Sequence, residues 1–140
     1  MKFSTKARYA LLGMIQLARK KGAISLKEIA KRESLSHDYL ERIFLKLKKA
    51  GLVSSKKGKK GGYFLKKSPE EIKISDIIKA VDEKITPVFC IEERKKYTCP
   101  KEKRCLAKIF WQEVKKKIEE SLDSVTLWDI ISKERKRKKL

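Results

Sequence analysis

Residues 25–65 read S-L-K-E-I-A-K-R-E-S-L-S-H-D-Y-L-E-R-I-F-L-K-L-K-K-A-G-L-V-S-S-K-K-G-K-K-G-G-Y-F-L, and this stretch leaves few folds open. Two helix starts, a short turn and a basic glycine hairpin follow one another in the order of a winged helix-turn-helix. Ser25 followed by Glu28 is a capping box, which satisfies two amides at a helix start that otherwise lack partners. Ser36 offers a second start, behind which Leu40, Ile43, Phe44 and Leu47 recur at helical spacing and make one apolar stripe. Gly51 stands where a left-handed C-cap is least costly. Glu33, Ser34 and Leu35 remain as the turn, without the glycine common there. Leu52–Ser55 and Tyr63–Leu65 read as two short strands around Lys56, Lys57, Gly58, Lys59, Lys60, Gly61 and Gly62.

The opposite face of the second helix carries Ser36, His37, Asp38, Tyr39, Glu41 and Arg42 near its N-terminus, the end that a recognition helix turns toward base edges. Arg42 has the fork to read guanine, and Glu41 can accept from cytosine N4. The competing reading is the solvated face of an ordinary amphipathic helix. The hairpin decides between them. A loop of Lys and Gly has no apolar surface to bury, and the ammonium groups of Lys56, Lys57, Lys59 and Lys60 suit a phosphate backbone or a narrow minor groove. It is not a P-loop, because the G-x-x-x-x-G-K-[ST] spacing is absent. A formal charge of +20 points to the same partner, double-stranded DNA.

Length fits one folded unit of 140 residues with 41% apolar and 40% charged residues, too apolar for a disordered chain. There is no run of about 18 apolar residues, so no membrane partner is expected. Lys6, Arg8 and Gln16 interrupt the N-terminus as a signal peptide would not allow, which predicts a cytoplasmic protein. Paired carboxylates, a Ser/His/Asp arrangement and a nucleotide loop are missing, and a single histidine makes no catalytic constellation. Neither an enzyme nor a small-molecule substrate is expected.

The fold class predicted is mainly α with a small β wing. A helix from about Thr5 to Lys20 buries Ala7, Ala10, Leu11, Met14, Leu17 and Ala18. Ser4 caps it, and the start at Ser4, Thr5 and Lys6 also suits a DNA phosphate. Ser68-Pro69-Glu70-Glu71 starts a helical turn, and Ser75 caps a further helix through Ile77, Ile78 and Val81. Periodicity lapses from Asp82 to Arg104 and resumes with Leu106, Ile109, Phe110, Val114, Ile118 and Leu122, a long amphipathic helix. Trp128, Ile130 and Ile131 add a last packed turn, and the run from Lys133 to Lys139 reads as a mobile basic tail. The segments are thus 1–83 for DNA binding, 84–104 as a loop, 105–132 as helix and terminal turn, and 133–140 as tail.

All three cysteines, Cys90, Cys99 and Cys105, fall in or beside that loop at C-x8-C-x5-C spacing. The spacing matches neither the zinc C-x2-C pattern nor the common ferredoxin ones, and an odd count speaks against a disulfide framework. Clustering among charged residues rather than in a core still points to metal or thiol chemistry. Arg94, Lys95, Lys96, Lys101, Lys103 and Arg104 favour thiolate and would offset the charge of an iron–sulfur–thiolate centre.

The chain resembles the IscR/NsrR/CymR family of bacterial winged-helix regulators from Met1 to about Leu122. The resemblance rests on M-K-F-S-T-K-A-R-Y-A-L, Y-L-E-R-I-F, G-L-V-S-S-K-K-G-K-K-G-G-Y and S-P-E-E-I-K-I-S-D-I-I-K-A-V-D-E. It implies a homodimeric transcription factor whose long helix pairs with its partner's copy, giving two heads for two DNA half-sites. It further implies a 2Fe–2S or 4Fe–4S cluster on Cys90, Cys99 and Cys105. The chain departs from the family in four places, the first being a longer gap between Cys90 and Cys99 than in the iron–sulfur homeostasis regulator. Lys108 stands where the iron–sulfur homeostasis regulator has a histidine, and Arg8 stands where nitric-oxide sensors have a carboxylate ligand. Relatives usually carry Arg in place of Lys57. The fourth ligand is left to Glu92, Glu93 or Glu102, to an exogenous group, or to an open position. Two alternatives stand beside the cluster-modulated regulator. One is a cluster-free regulator sensing through its thiols or a partner protein. The other is an iron–sulfur electron carrier with a basic docking surface, against which the Lys/Gly wing argues.

Overall fold

Three serine hydroxyls start the three N-terminal helices. In a computed structural model, which describes residues 2–92 and 98–138, Ser4 caps α1 (Thr5–Arg19) by accepting from the Ala7 amide at 3.3 Å. Ser25 caps α2 (Leu26–Glu33) and Ser36 caps α3 (His37–Lys49), accepting from the amides of Glu28 at 3.1 Å and Tyr39 at 3.4 Å. The capping box expected at Ser25 is only half formed. The Glu28 carboxylate turns away to Arg32 at 2.6 Å and Lys20 at 3.7 Å. Between α2 and α3, Ser34 takes the left-handed conformation with φ 54°, so a serine does what a turn glycine ordinarily does. Gly51, with φ 78°, ends α3 as expected.

The apolar stripes of these helices meet in one core containing Ala10, Met14, Ile29, Leu40, Phe44 and Leu47, all fully buried. Gly13 lets α1 approach α3 closely: a Cβ there would stand 2.6 Å from the Phe44 ring. Gln16, which interrupts the stripe in sequence, is buried and bonded to Glu33 and Arg32 of α2.

The wing is β1 (Val53–Lys56) antiparallel to β2 (Gly62–Leu65), with Val53 opposite Leu65 and Lys56 opposite Gly62. Ile24 exchanges both backbone hydrogen bonds with Tyr63, at 2.9 and 2.8 Å, and so anchors the wing root to the segment before α2. At Gly62, with φ 143°, the chain passes so near Ile24 that an added Cβ would stand 2.3 Å from its carbonyl oxygen. No other residue fits.

A 3-10 turn at Pro69–Glu71 leads to α4 (Ile74–Ala80). Ser75 does not cap it. The N-cap is Lys73, whose amide is bonded to the Asp76 carboxylate at 3.0 Å, while Ser75 is buried inside the helix with its hydroxyl unpartnered. The reason is non-local: Lys73 bridges Thr126, the Ile74 amide donates to Val125 and the Leu127 amide to Ile72, both at 2.9 Å.

These bonds fix the turn between α5 (Leu106–Asp123) and α6 (Leu127–Lys138). Thr126 and Asp129 cap α6 reciprocally at 2.9 and 3.2 Å, and these bonds, the backbone one foremost, hold the Asp129 carboxyl below its ordinary range. Leu127 and Ile131 are buried, and Arg19 pairs with Glu134 at 3.0 Å, so α6 folds back on α1. This differs from a terminal turn followed by a mobile tail at Lys133. The helix runs on to Lys138.

Candidate nucleic-acid interface and cysteine loop

With the stripe of α3 committed to the core, its opposite face stands in solvent. His37, Asp38, Glu41 and Arg42 are all exposed. His37 Nδ1 lies 3.6 Å from an Asp38 carboxylate oxygen, and ligand atoms of His37, Asp38 and Glu41 all fall within 4.8 Å of one another. Tyr39 is different. It is half-buried, and its ring packs edge-on against Tyr9 of α1 with centroids 5.3 Å apart. Ser36 is exposed, its hydroxyl taken up in capping.

The wing stands beside this face. Lys48 of α3 donates to the Ser55 hydroxyl at 2.8 Å, and Tyr63 packs on Phe44 with centroids 5.0 Å apart. Burial pushes the Tyr63 phenol up, and the nearby Glu41 carboxylate pushes it the same way, which shows Glu41 close to the wing root. Lys56, Lys57, Lys59 and Lys60 are exposed around the turn closed by the Gly61 amide donating to Gly58 at 2.9 Å. None of the four makes an ion pair among the described residues.

The start of α1 holds a contact that sequence did not reveal. The Ser4 amide donates to a Glu83 carboxylate oxygen at 3.1 Å, and its hydroxyl donates to the other oxygen. Lys6 donates to the Asp82 carbonyl at 3.3 Å, and the Asp82 carboxylate pairs with Lys46 of α3 at 3.3 Å. Asp82 itself has φ 57°, a left-handed bend that turns the chain out of α4. The helix N-terminus expected to meet a phosphate therefore already carries an internal carboxylate.

Asp82 and Glu83 also open the loop that bears the cysteines. Cys90 lies in a 3-10 turn at Phe89–Ile91, Cys99 follows the undescribed stretch, and Cys105 takes the N-cap position of α5 without a side-chain capping bond. All three are half-exposed. Their sulfurs do not all lie within 4.8 Å of one another, the reach of a single ion; among the described residues His37, Asp38 and Glu41 are the one group that does. As a donor set, three thiols on short turns and a helix N-terminus suit a thiophilic centre. Of the carboxylates considered as a fourth ligand, Glu92 pairs with Lys84 at 2.8 Å and Glu102 with Lys108 at 2.7 Å. Glu93 lies outside the described residues, as do Arg94, Lys95 and Lys96. The α5 helix that follows buries none of its residues, leaving Leu106 81%, Ile109 64% and Phe110 60% exposed.

A helix-turn-helix with a bare charged face and a basic wing beside it defines a DNA-binding transcriptional regulator. The chain belongs to the Rrf2 family, described as iron-dependent transcriptional regulators, which it matches over residues 3–133. It is 37% identical over 133 residues to the HTH-type transcriptional regulator IscR of Aliivibrio salmonicida, covering 94% of this chain and 77% of that one. Among solved structures it is similar to T. potens IscR, with 40% identity, TM-score 0.75, and 95% and 88% of the two chains covered. It is equally similar to CymR, the global cysteine regulator of B. subtilis, with 40% identity, TM-score 0.76, and 94% and 97% covered. These relatives are regulators, not enzymes. No helix among the described residues is long and apolar enough to cross a membrane.

Proposed function

We propose that the chain is a homodimer that reads operator DNA with α3 and the wing, and that an iron–sulfur cluster held by Cys90, Cys99 and Cys105 modulates that binding. His37, Asp38, Glu41 and Arg42 contact base edges; Ser36 and Tyr39 hold the helix start; Lys56, Lys57, Lys59 and Lys60 take phosphates or the minor groove. Ser4, Thr5 and Lys6 take a phosphate when Glu83 yields its place. The apolar face of α5 pairs with its copy, because a stripe that exposed is costly to leave in water.

One observation carries the regulatory part. The cysteine loop begins at Asp82 and Glu83, which grip α3 through Lys46 and α1 through Ser4. A change in how the loop is held is thereby felt at the start of α1 and at the last turn of α3, without any contact between the cysteines and DNA. When bound, the cluster supplies a charged, oxidisable tie between the three thiols. A second reading has support of its own. Similar structures include Staphylococcus aureus CymR in an oxidized form, with 38% identity and TM-score 0.73. In that reading the thiols act without iron.

Purification without oxygen, with iron and sulfide analysis and a visible spectrum, separates the two. Stoichiometric iron and sulfide, lost on Cys90→Ala, Cys99→Ala or Cys105→Ala, supports the cluster. Colourless protein with three titratable thiols, unchanged after reconstitution, rejects it.

A further inference from the structure

A groove of about 540 Å³ lies between the C-terminal end of α1, the wing root and α6, with no residue of α3 in its lining. Pockets that take small organic ligands run from about 300 to 1,000 Å³, mostly apolar with a few convergent polar groups. This one has that make-up. Leu17, Phe64, Leu65, Trp128 and Ile131 line it. Phe64 and Trp128 are both half-buried and give the groove aromatic lining.

The polar rim has a sign. Arg19 and Lys20 are occupied by Glu134 and Glu28. Lys21 and Lys56 line the groove without an ion pair among the described residues, against one unpaired carboxylate, Glu70. Two free ammonium groups over an aromatic floor, on a chain of charge +20, complement a flat organic anion. Lys56 is also the last residue of β1, opposite Gly62, where the wing loop departs.

We propose that this groove binds an aromatic carboxylate as an effector, its ring between Phe64 and Trp128 and its carboxylate on Lys21 and Lys56. An ammonium group engaged there is withdrawn from the wing, so the bound effector weakens DNA binding. That consequence rests on the function proposed above; the binding does not.

Calorimetric titration of the full chain with 1-naphthoate, in the absence of DNA, tests the site. The expected result is one saturable site per chain. Affinity should fall at least about fivefold in Lys21→Gln, rise in Glu70→Gln, and vanish in Ala23→Trp, which fills the groove. The neutral 1-naphthylmethanol should bind at least about tenfold more weakly. No saturable binding, equal binding of the neutral compound, or binding that survives both Lys21→Gln and Ala23→Trp would overturn the proposal. So would a groove closed by a second copy, seen as no binding to the unaltered chain and dissociation of its oligomer by Ala23→Trp in sedimentation. Saturating 1-naphthoate should then weaken duplex binding at least about threefold in the unaltered chain and not in Lys21→Gln. Calorimetric binding with unchanged duplex affinity would overturn the effector role. Should the chain bind no duplex at all, the DNA reading fails while the calorimetric result stands.

Discussion

Replacing Glu83 by Gln should move stability and DNA affinity in opposite directions. The Glu83 carboxylate accepts from both the amide and the hydroxyl of Ser4 at the positive end of α1. A negative charge at a helix N-terminus contributes about 0.3–1 kcal/mol, and hydrogen bonds to a charged group exceed those to a neutral one by a similar amount. Glutamine keeps one bond and loses the charge, at a cost of about 1 kcal/mol, or a few degrees in Tm for a chain of this size. On the DNA side the same change removes a charge that an incoming phosphate would meet at about 4 Å. That repulsion is worth about 1 kcal/mol in water, or roughly fivefold in affinity per protomer. If a phosphate takes the vacated amides, the slope of log affinity against log salt should steepen by about one unit per site. Fluorescence anisotropy with a labelled duplex across a salt series, beside thermal unfolding, measures both. A variant that is less stable and also binds DNA more weakly, with no change of slope, would refute the idea that Glu83 occupies a phosphate position.

Removing the four wing lysines Lys56, Lys57, Lys59 and Lys60 as a quadruple Ala variant should weaken binding to all duplexes and flatten the salt slope by about one unit per lost contact; unchanged slope in the anisotropy titration removes the wing from the interface. Substituting Glu41 or Arg42 should instead redirect base preference in a binding-site selection, by about 1–3 kcal/mol at the affected position. Gly13→Ala should destabilise the fold by about 1–3 kcal/mol, since the new Cβ meets the Phe44 ring at 2.6 Å. An added Phe44→Leu should recover part of that loss in urea unfolding.

What sequence made legible here is what is written locally. The caps at Ser4, Ser25 and Ser36, the stripe from Leu40 to Leu47 and the Lys/Gly hairpin all report on neighbours within a few positions, and each element formed near its expected bounds. The misses have a common physical cause. Ser75 looked like a cap, but the α4 start was set by bonds to Val125 and Thr126, some 50 positions away. The continuation of α6 past Lys133 leaves no local mark because the partner of Glu134, Arg19, belongs to α1. The clasp of Glu83 on Ser4 spans 79 positions and leaves no periodic trace. Only the apolar spacing of Leu127 and Ile131, one helical turn apart, hinted that α6 would return to the core.

The claim on which the account turns is that the state of Cys90, Cys99 and Cys105 is read out at DNA. The most direct measurement is duplex binding to selected genomic fragments, without oxygen, by reconstituted and by cluster-free protein in parallel, with Cys90→Ala, Cys99→Ala and Cys105→Ala beside them. Coupling of about 1–3 kcal/mol predicts a roughly 5- to 150-fold difference in affinity for at least one fragment, with every Cys variant behaving as the cluster-free form. Equal affinities across all fragments would contradict it, leaving a winged-helix regulator whose cysteines do not speak to its DNA-binding face.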